Sequence, residues 1–127
     1  MNDKFSSIQN AQVKISLSEY FDRVQFVGTR TLEESIKIWT DLTQLVNSSH
    51  KKILIEDKMS GVMSTNEVTE LIEYISDYKT YKQKSIAIVL KEVSSYNSRF
   101  FDVVAERCGV CIKHFKFEKD AIEWLTE

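Results

Sequence analysis

Two uninterrupted apolar runs stand out in a chain whose other apolar residues alternate with polar ones or recur at helical spacing. They cover residues 53–55, ILI, and residues 86–90, IAIVL. Short runs rich in β-branched residues are typical of strands covered on both faces, as in parallel sheets. We therefore expect these two strands to be parallel and adjacent, or nearly adjacent, at the centre of a sheet.

Two earlier segments alternate instead of running continuously. Val13, Ile15 and Leu17 are separated by polar residues, and so are Val24 and Phe26. Alternation of this kind predicts strands with one buried face, and the short connection between the segments favours an antiparallel hairpin. Residues 1–10 are largely polar and predict either a tail or a short edge strand.

Helical spacing follows, with capping patterns where the helices begin. Ser64 with Glu67, and Thr31 with Glu34, match the capping box, in which two side chains satisfy free backbone amides. The helix from Ser64 is the clearest in the chain because its apolar face is continuous. That face consists of Val68, Leu71, Ile72, Ile75 and Tyr78.

The second half of the chain predicts two more helices. Residues 94–98 offer several N-cap residues for one of them, and Gly109 is placed just after its end. A strand within residues 110–117 precedes a short helix at residues 120–125. The order β-β-α-β-α-β-α-β-α predicts a single α/β domain over residues 1–127. We expect a mixed, mainly parallel sheet of about five strands, with an N-terminal antiparallel hairpin and about four helices.

Composition narrows the function classes. Hydrophobic residues make up 43% and charged residues 28% of the 127 positions, which fits a folded globular domain. The net charge of −2 predicts no basic face, so we expect no nucleic-acid partner. No apolar run approaches the ~20 residues of a membrane helix and no secretion signal is recognised, so we expect a cytoplasmic protein without a membrane span.

Three segments match a known family loosely but together cover most of the chain. They are residues 28–34, GTRTLEE, residues 53–57, ILIED, and residues 117–125, FEKDAIEWL. These segments resemble the STAS-type anti-sigma-factor antagonists, and especially the SpoIIAA-like branch. The resemblance implies a non-catalytic regulatory or protein-interaction module. Because the SpoIIAA-like fold is also compared with lipid-binding CRAL-TRIO domains, the alternative that it implies is a carrier of a small apolar ligand or lipid.

The chain departs from the family pattern at the start of the helix that follows the central strand. Antagonists that are switched by phosphorylation carry Asp-Ser-Ser-Gly there, whereas this chain has Ser64, Thr65, Asn66 and Glu67. Ser64 and Thr65 are candidate phospho-acceptors, since a phosphate is tolerated at the positive end of a helix. The alternative is that Ser64 only caps the helix, as the glutamate three positions later indicates.

The candidate binding surface is the loop after the strand at residues 53–57, together with the start of the next helix. Ligands of parallel sheets gather at the carboxyl ends of strands, where helix N-termini offer free amides. We expect the two methionines of the loop to be exposed and to contact a protein partner, unless they fold back under the loop. Asp57 is a candidate metal ligand or base, or else it caps a loop amide. The predicted partner-binding residues are Asp57, Met59, Ser60, Gly61, Met63, Ser64, Thr65 and Asn66.

A second candidate interface lies on the helix from Ser64. Tyr74 and Tyr81 are expected on a more exposed edge, beside Tyr78 of the apolar face. Tyrosine is enriched at protein interfaces, although an ordinary helix flank is the alternative. Dimerisation through a surface of this kind stays open.

Candidate catalytic and metal-binding residues do not assemble into a site. Cys108 and Cys111 straddle a predicted helix C-terminus, where the helix dipole favours the thiol, so we expect free, reduced and dispensable cysteines. His114 lies next to Lys113 and near Lys116 in a strand, which predicts a surface position. Without a nucleophile–base pair or a ligand cluster, we expect no enzyme, cofactor or metal. A deep apolar cavity of roughly 300 Å³ or more would favour the carrier over the interaction module.

Overall fold

Six strands form one mixed sheet in which each strand pairs with the next one in the sequence. The structure is a computed structural model and describes residues 4–8, 11–16, 20–46, 50–91 and 95–127. The strands are β1 (Lys4–Ile8), β2 (Ala11–Ser16), β3 (Asp22–Gly28), β4 (Lys52–Asp57), β5 (Ser85–Val89) and β6 (Cys111–Phe115). The predicted α/β fold is confirmed, and β1 is the short edge strand that was one of two expectations for residues 1–10.

The strand directions follow the sequence pattern. The pairs β1–β2 and β2–β3 are antiparallel, whereas β3–β4, β4–β5 and β5–β6 are parallel. Ile53 lies opposite Ile86 in the parallel pair β4–β5, which confirms the expectation for the two continuous runs. Val13 lies opposite Phe26 in the predicted hairpin. Leu17, which the alternation places in the first strand of that hairpin, is outside the described residues.

In the described ranges, five helices connect or follow the strands. They are α1 (Leu32–Leu45), α2 (Thr65–Ser76), α3 (Lys79–Lys82), α4 (Ser95–Arg107) and α5 (Glu118–Leu125). The parallel strands advance in one direction across the sheet, so right-handed crossovers place α1, α2 and α4 on the same face. The helix α5 packs on β4, β5 and β6. None of the helices in these ranges is long and apolar enough to cross a membrane.

Two apolar cores lie on opposite faces of the sheet. Ile53 and Ile55 belong to the larger core with residues of α1, α2 and α4, whereas Leu54 between them belongs to the smaller core with residues of α5. Successive strand residues point to opposite faces, so a continuous apolar run is buried on both sides. This double burial is the property that the pattern of residues 53–55 predicts.

The starts of α1 and α2 agree with their capping patterns to different degrees. Ser64 Oγ accepts from the Glu67 amide at 3.2 Å, and Glu67 Oε1 accepts from the Ser64 amide at 3.0 Å, which completes a capping box. Thr31 Oγ1 accepts from the Glu34 amide at 3.1 Å. The Glu34 carboxylate instead accepts from the amide of Thr29, so this second box is half formed.

The second helix ends earlier than its pattern predicted. α2 ends at Ser76, and the one-turn α3 begins after Tyr78. This break turns Tyr81 into the core, where its hydroxyl donates to the carbonyl of Trp39. The expectation of an exposed position is therefore wrong for Tyr81, whose ring is buried in the core. Tyr74 and Tyr78 are half-buried.

A polar network is buried at the amino ends of three parallel strands. Asp22, the first residue of β3, is fully buried, and its Oδ1 lies 3.0 Å from Nδ1 of His50. Lys84, which precedes β5, is also buried and donates to the carbonyl of His50. Desolvation lowers the pKa of Lys84, and the charge of Asp22 opposes this shift. The network joins the starts of β3, β4 and β5 through charged side chains.

Candidate functional site

The loop after β4 runs along the end of β3 and extends the parallel pairing. The amide of Lys58 donates to the carbonyl of Phe26 at 2.9 Å, and the amide of Ser60 donates to the carbonyl of Gly28 at 2.9 Å. The amide of Arg30 donates back to the carbonyl of Ser60 at 2.6 Å. These bonds hold the first half of the loop in place beside the start of α1.

The Arg30 side chain clamps the same loop. Its Nη2 donates to Asp57 Oδ1 at 2.9 Å and to the carbonyl of Met59 at 2.7 Å, and its Nη1 donates to the carbonyl of Gly61. Asp57 Oδ1 also accepts from the amide of Met59 at 2.9 Å, so Asp57 caps a loop amide, as one of its predicted alternatives states. The planar guanidinium supplies the several donors in a fixed plane that this arrangement needs.

The two loop methionines lie in the core. Met59 retains 8% and Met63 retains 7% of its exposed surface, so the expectation of exposed methionine contacts is wrong. The loop folds back because the Arg30 clamp holds Met59 by its carbonyl and Ser60 pairs with β3. Val62 between them is 74% exposed and forms the apolar tip of the loop.

A cavity of about 460 Å³ lies beneath this loop, at the carboxyl ends of β3, β4 and β5. Its walls come from α1, α2, α4 and the loop, and the exposed Lys58 and Lys91 stand at its rim. Most of the deeper lining is apolar. This lining includes Phe26, Trp39, Met59, Met63, Val68 and Phe101.

A histidine on β6 lines the cavity and pairs with a carboxylate on α4. His114 Nδ1 lies 2.7 Å from Asp102 Oδ1, and the His114 backbone amide donates to Asp102 Oδ2 at 2.9 Å. The Phe101 ring packs edge-on against the imidazole at a centroid distance of 5.0 Å. The predicted surface position of His114 is therefore wrong: its side chain is largely buried and lines the cavity.

Ser98 lies beside the cavity, but its hydroxyl oxygen is not exposed to it. It lies on α4 and lines the cavity beside Phe101. Its Oγ is buried and finds no hydrogen-bond partner within the described parts of the chain. Buried polar atoms without a partner are rare in native proteins, so this hydroxyl requires an explanation.

The structure divides the predicted site residues into two groups. The group that lines the cavity consists of Asp57, Met59, Ser60, Gly61 and Met63. Ser64, Thr65 and Asn66 are exposed at the start of α2 and are not among the residues that line the cavity. Ser64 acts as the helix cap, and its role as a phospho-acceptor, like that of Thr65, stays a prediction.

Sequence reasoning missed Arg30, Ser98 and His114 as parts of the site. For His114 a signal was present, because Ile112 two positions earlier is buried and residues two apart in a strand share a face. The neighbouring lysines indicated a surface position instead, but Lys113 is exposed on the opposite face of β6 and Lys116 lies beyond the end of the strand. Ser98 and Arg30 carry no such local signal, since their positions depend on contacts between distant elements.

The two cysteines lie away from the cavity. Both are free; Cys111 is exposed and Cys108 is half-buried after the end of α4. Gly109 between them has φ +81°, the left-handed conformation of a helix C′ residue, as predicted. Across the residues that the structure describes, no three His, Cys, Asp or Glu side chains group as metal ligands. That the cysteines are dispensable stays a prediction.

Comparison with known proteins assigns no family. No model of a known protein family matches the chain, and no curated protein matches it. The resemblance to STAS-type antagonists therefore stays a prediction, and the function has to be argued from the geometry of the cavity and the loop.

Proposed function

We propose that this protein is a non-catalytic binding module whose cavity takes a small, mainly apolar molecule. The observation that supports the proposal is the cavity of about 460 Å³ beneath the loop after β4. Pockets for small ligands commonly enclose about 300–1,000 Å³ and are lined mainly by apolar and aromatic side chains with a few polar groups. The cavity has this size and this lining, which favours the carrier that was the alternative expectation from the sequence.

The loop after β4 connects the cavity to the protein surface, so ligand binding can change that surface. Met59 and Met63 border the cavity from within, whereas Val62 between them is exposed to solvent. A ligand that contacts both methionines acts on a segment whose other side is available to a partner. This arrangement supports a regulatory role of the STAS type, in which binding in the cavity changes the loop surface.

Catalysis is not part of the proposal, although the residue types of a hydrolase triad are present. Ser98 and His114 line the cavity, and Asp102 contacts His114. An activated serine donates a hydrogen bond to its general base. In the described part of the chain, Ser98 Oγ makes no hydrogen bond, and the geometry therefore favours binding over chemistry.

Filling the cavity is expected to abolish binding of an apolar probe. Val68→Phe on α2 places a larger side chain into the cavity, because Val68 lines it and is already buried. The neutral fluorescent probe N-phenyl-1-naphthylamine should bind the unmodified protein and lose at least about tenfold in affinity with this variant, equal to about 1.4 kcal/mol. Fluorescence titration measures the Kd of each protein.

The matched control is Val104→Phe. Val104 lies on α4 and packs against the same core, but it does not line the cavity. This variant should bind the probe as the unmodified protein does. Absence of probe binding to the unmodified protein, or equal binding by the Val68→Phe variant, would contradict the proposal.

A protein-interaction module is the second candidate, and the exposed loop tip favours it. Val62, 74% exposed, stands beside the exposed Ser64, Thr65 and Asn66. If this surface binds a protein, Val62→Asp should remove a specific partner from the set captured on the immobilised protein from native cytosol, without changing the melting temperature. Mass spectrometry of the captured proteins measures the change. Val103→Asp, at another exposed valine on α4, is the control, and identical captured sets for all three proteins would exclude the loop tip as the interface.

A further inference from the structure

One of the two free edges of the sheet lies at β6. In the strand order β6 comes last, and among the described strands it pairs with β5 alone. An edge strand presents amides and carbonyls without a partner, and these groups are a template on which another strand can add. The outer edge of β6 is therefore a place where a second chain could extend this sheet.

The backbone groups of β6 that face outward belong to alternate residues. The amide of Leu90 donates to the carbonyl of Phe115 at 2.9 Å, so Phe115 turns its backbone groups toward the end of β5. In a parallel pair, successive residues turn their amide and carbonyl alternately toward the neighbouring strand and away from it. Lys113 and Phe115 thus bond to β5, whereas the backbone groups of Ile112 and His114 face the free edge.

A carboxylate already holds the outward amide of His114. Asp102 on α4 accepts from that amide through Oδ2 at 2.9 Å, and its Oδ1 lies 2.7 Å from Nδ1 of the same histidine. Both oxygens of one side chain are therefore fixed at the edge of β6. A strand that added here would have to bring a carbonyl oxygen to the position of Oδ2, beside a carboxylate that repels it.

We propose that Asp102 closes this edge, so that two copies of the chain do not join into one sheet through β6. The proposal does not depend on a ligand in the cavity. A second copy is the partner that the carboxylate excludes, because two identical edges complement each other in a two-fold pair. Charged side chains directed at an edge strand are one of the means by which native proteins prevent such pairing.

The test is the oligomeric state of the full chain without this carboxylate. Asp102→Ala removes both acceptor oxygens and frees the outward amide of His114. In a two-fold pair this amide forms a new hydrogen bond in each copy, so the variant should dimerise at least about tenfold more tightly than the unmodified protein. Sedimentation velocity from micromolar to millimolar protein measures the association of both proteins.

Two further variants separate the hydrogen bond from the charge. Asp102→Asn keeps an oxygen that can accept from the His114 amide but loses the charge, and it should associate more weakly than Asp102→Ala. Glu106→Ala removes an exposed acidic side chain one turn later on α4 and should behave as the unmodified protein does. Asp102 is partly exposed, so neither of its variants should unfold at the assay temperature, which circular dichroism checks.

Hydrogen exchange distinguishes edge pairing from aggregation of unfolded chains. In concentrated Asp102→Ala protein, the amides of Ile112 and His114 should exchange more slowly than in a dilute sample, because the second copy pairs with them. Unfolding would instead speed up exchange in the central strands β4 and β5.

Three results would overturn the proposal. The first is equal association of the unmodified protein and Asp102→Ala at every concentration. The second is association of Asp102→Ala without slower exchange in β6, since the copies would then join through another surface. The third is equal association of Asp102→Ala and Glu106→Ala, because the loss of any acidic charge from α4 would then suffice.

Discussion

Replacing Arg30 with alanine is expected to lower the melting temperature by about 10 °C and to weaken binding of N-phenyl-1-naphthylamine. The variant removes the guanidinium from Asp57 and from the carbonyls of Met59 and Gly61. Breaking a buried ion pair costs about 3–5 kcal/mol of unfolding free energy. The side chains of Arg30 and Asp57 remain 16% and 13% exposed, so we expect a loss at or below the lower limit of that range. For a domain of this size, 1 kcal/mol corresponds to about 4 °C. Probe binding falls because the loop is the roof of the cavity.

The control for Arg30 is another arginine of the same sheet. Arg23 pairs with Glu118, but their side chains are 43% and 49% exposed. Exposed pairs contribute about 0–1 kcal/mol, so Arg23→Ala should leave the melting temperature nearly unchanged and the probe affinity intact. Arg30→Lys keeps the charge and loses the planar fork, and should fall between the two. Calorimetry showing equal, small shifts for Arg30→Ala and Arg23→Ala would mean that the clamp does not hold the loop.

Replacing Asp22 with alanine is expected to have a still larger effect on stability. The variant leaves the buried Lys84 without the charge that opposes its desolvation and leaves His50 Nδ1 without its carboxylate. Removing one partner from a buried charged network costs about 3–5 kcal/mol, because the remaining charge is uncompensated. Chemical unfolding in urea measures this loss as a lower midpoint at an unchanged slope.

A double variant tests whether the cost comes from the charge that remains. Lys84→Met in the Asp22→Ala background removes the buried ammonium and keeps an unbranched apolar side chain of similar length. If the uncompensated charge is the cause, the double variant should be more stable than Asp22→Ala alone. If the double variant instead loses the sum of the unfolding free energies lost by Asp22→Ala alone and by Lys84→Met alone, Asp22 and Lys84 stabilise the fold independently.

The strands could be predicted from the sequence because their signals are local. Residues 53–55 need burial on both faces wherever they lie, and only the interior of a sheet under helices on both sides supplies it. The full capping box at Ser64 is equally local, since Glu67 lies within the same turn. At Thr31 the same pattern is half formed because Glu34 finds the amide of Thr29 instead.

The cavity could not be predicted because it depends on contacts between distant segments. The direction of Met59 is set by Arg30, 29 positions earlier in the chain. Ser98 is one of several N-cap candidates in the sequence, and its Oγ is buried on α4, a helix that packs beside α2. His114 is the exception: the adjacent lysines predicted a surface position, but it shares a strand face with the buried Ile112, which is a local signal for an inward side chain.

The strand order also bears on how the protein is made. Each strand pairs with the one before it in the sequence. During synthesis, the sheet can therefore grow from one edge, because each new strand pairs with a strand that has already left the ribosome. No strand has to be inserted between two older ones, so loop closures during folding stay short. The 127 residues contain no proline, which removes prolyl isomerisation as a slow step on this route. The cavity closes late in synthesis, because His114 on the last strand to emerge forms part of its wall.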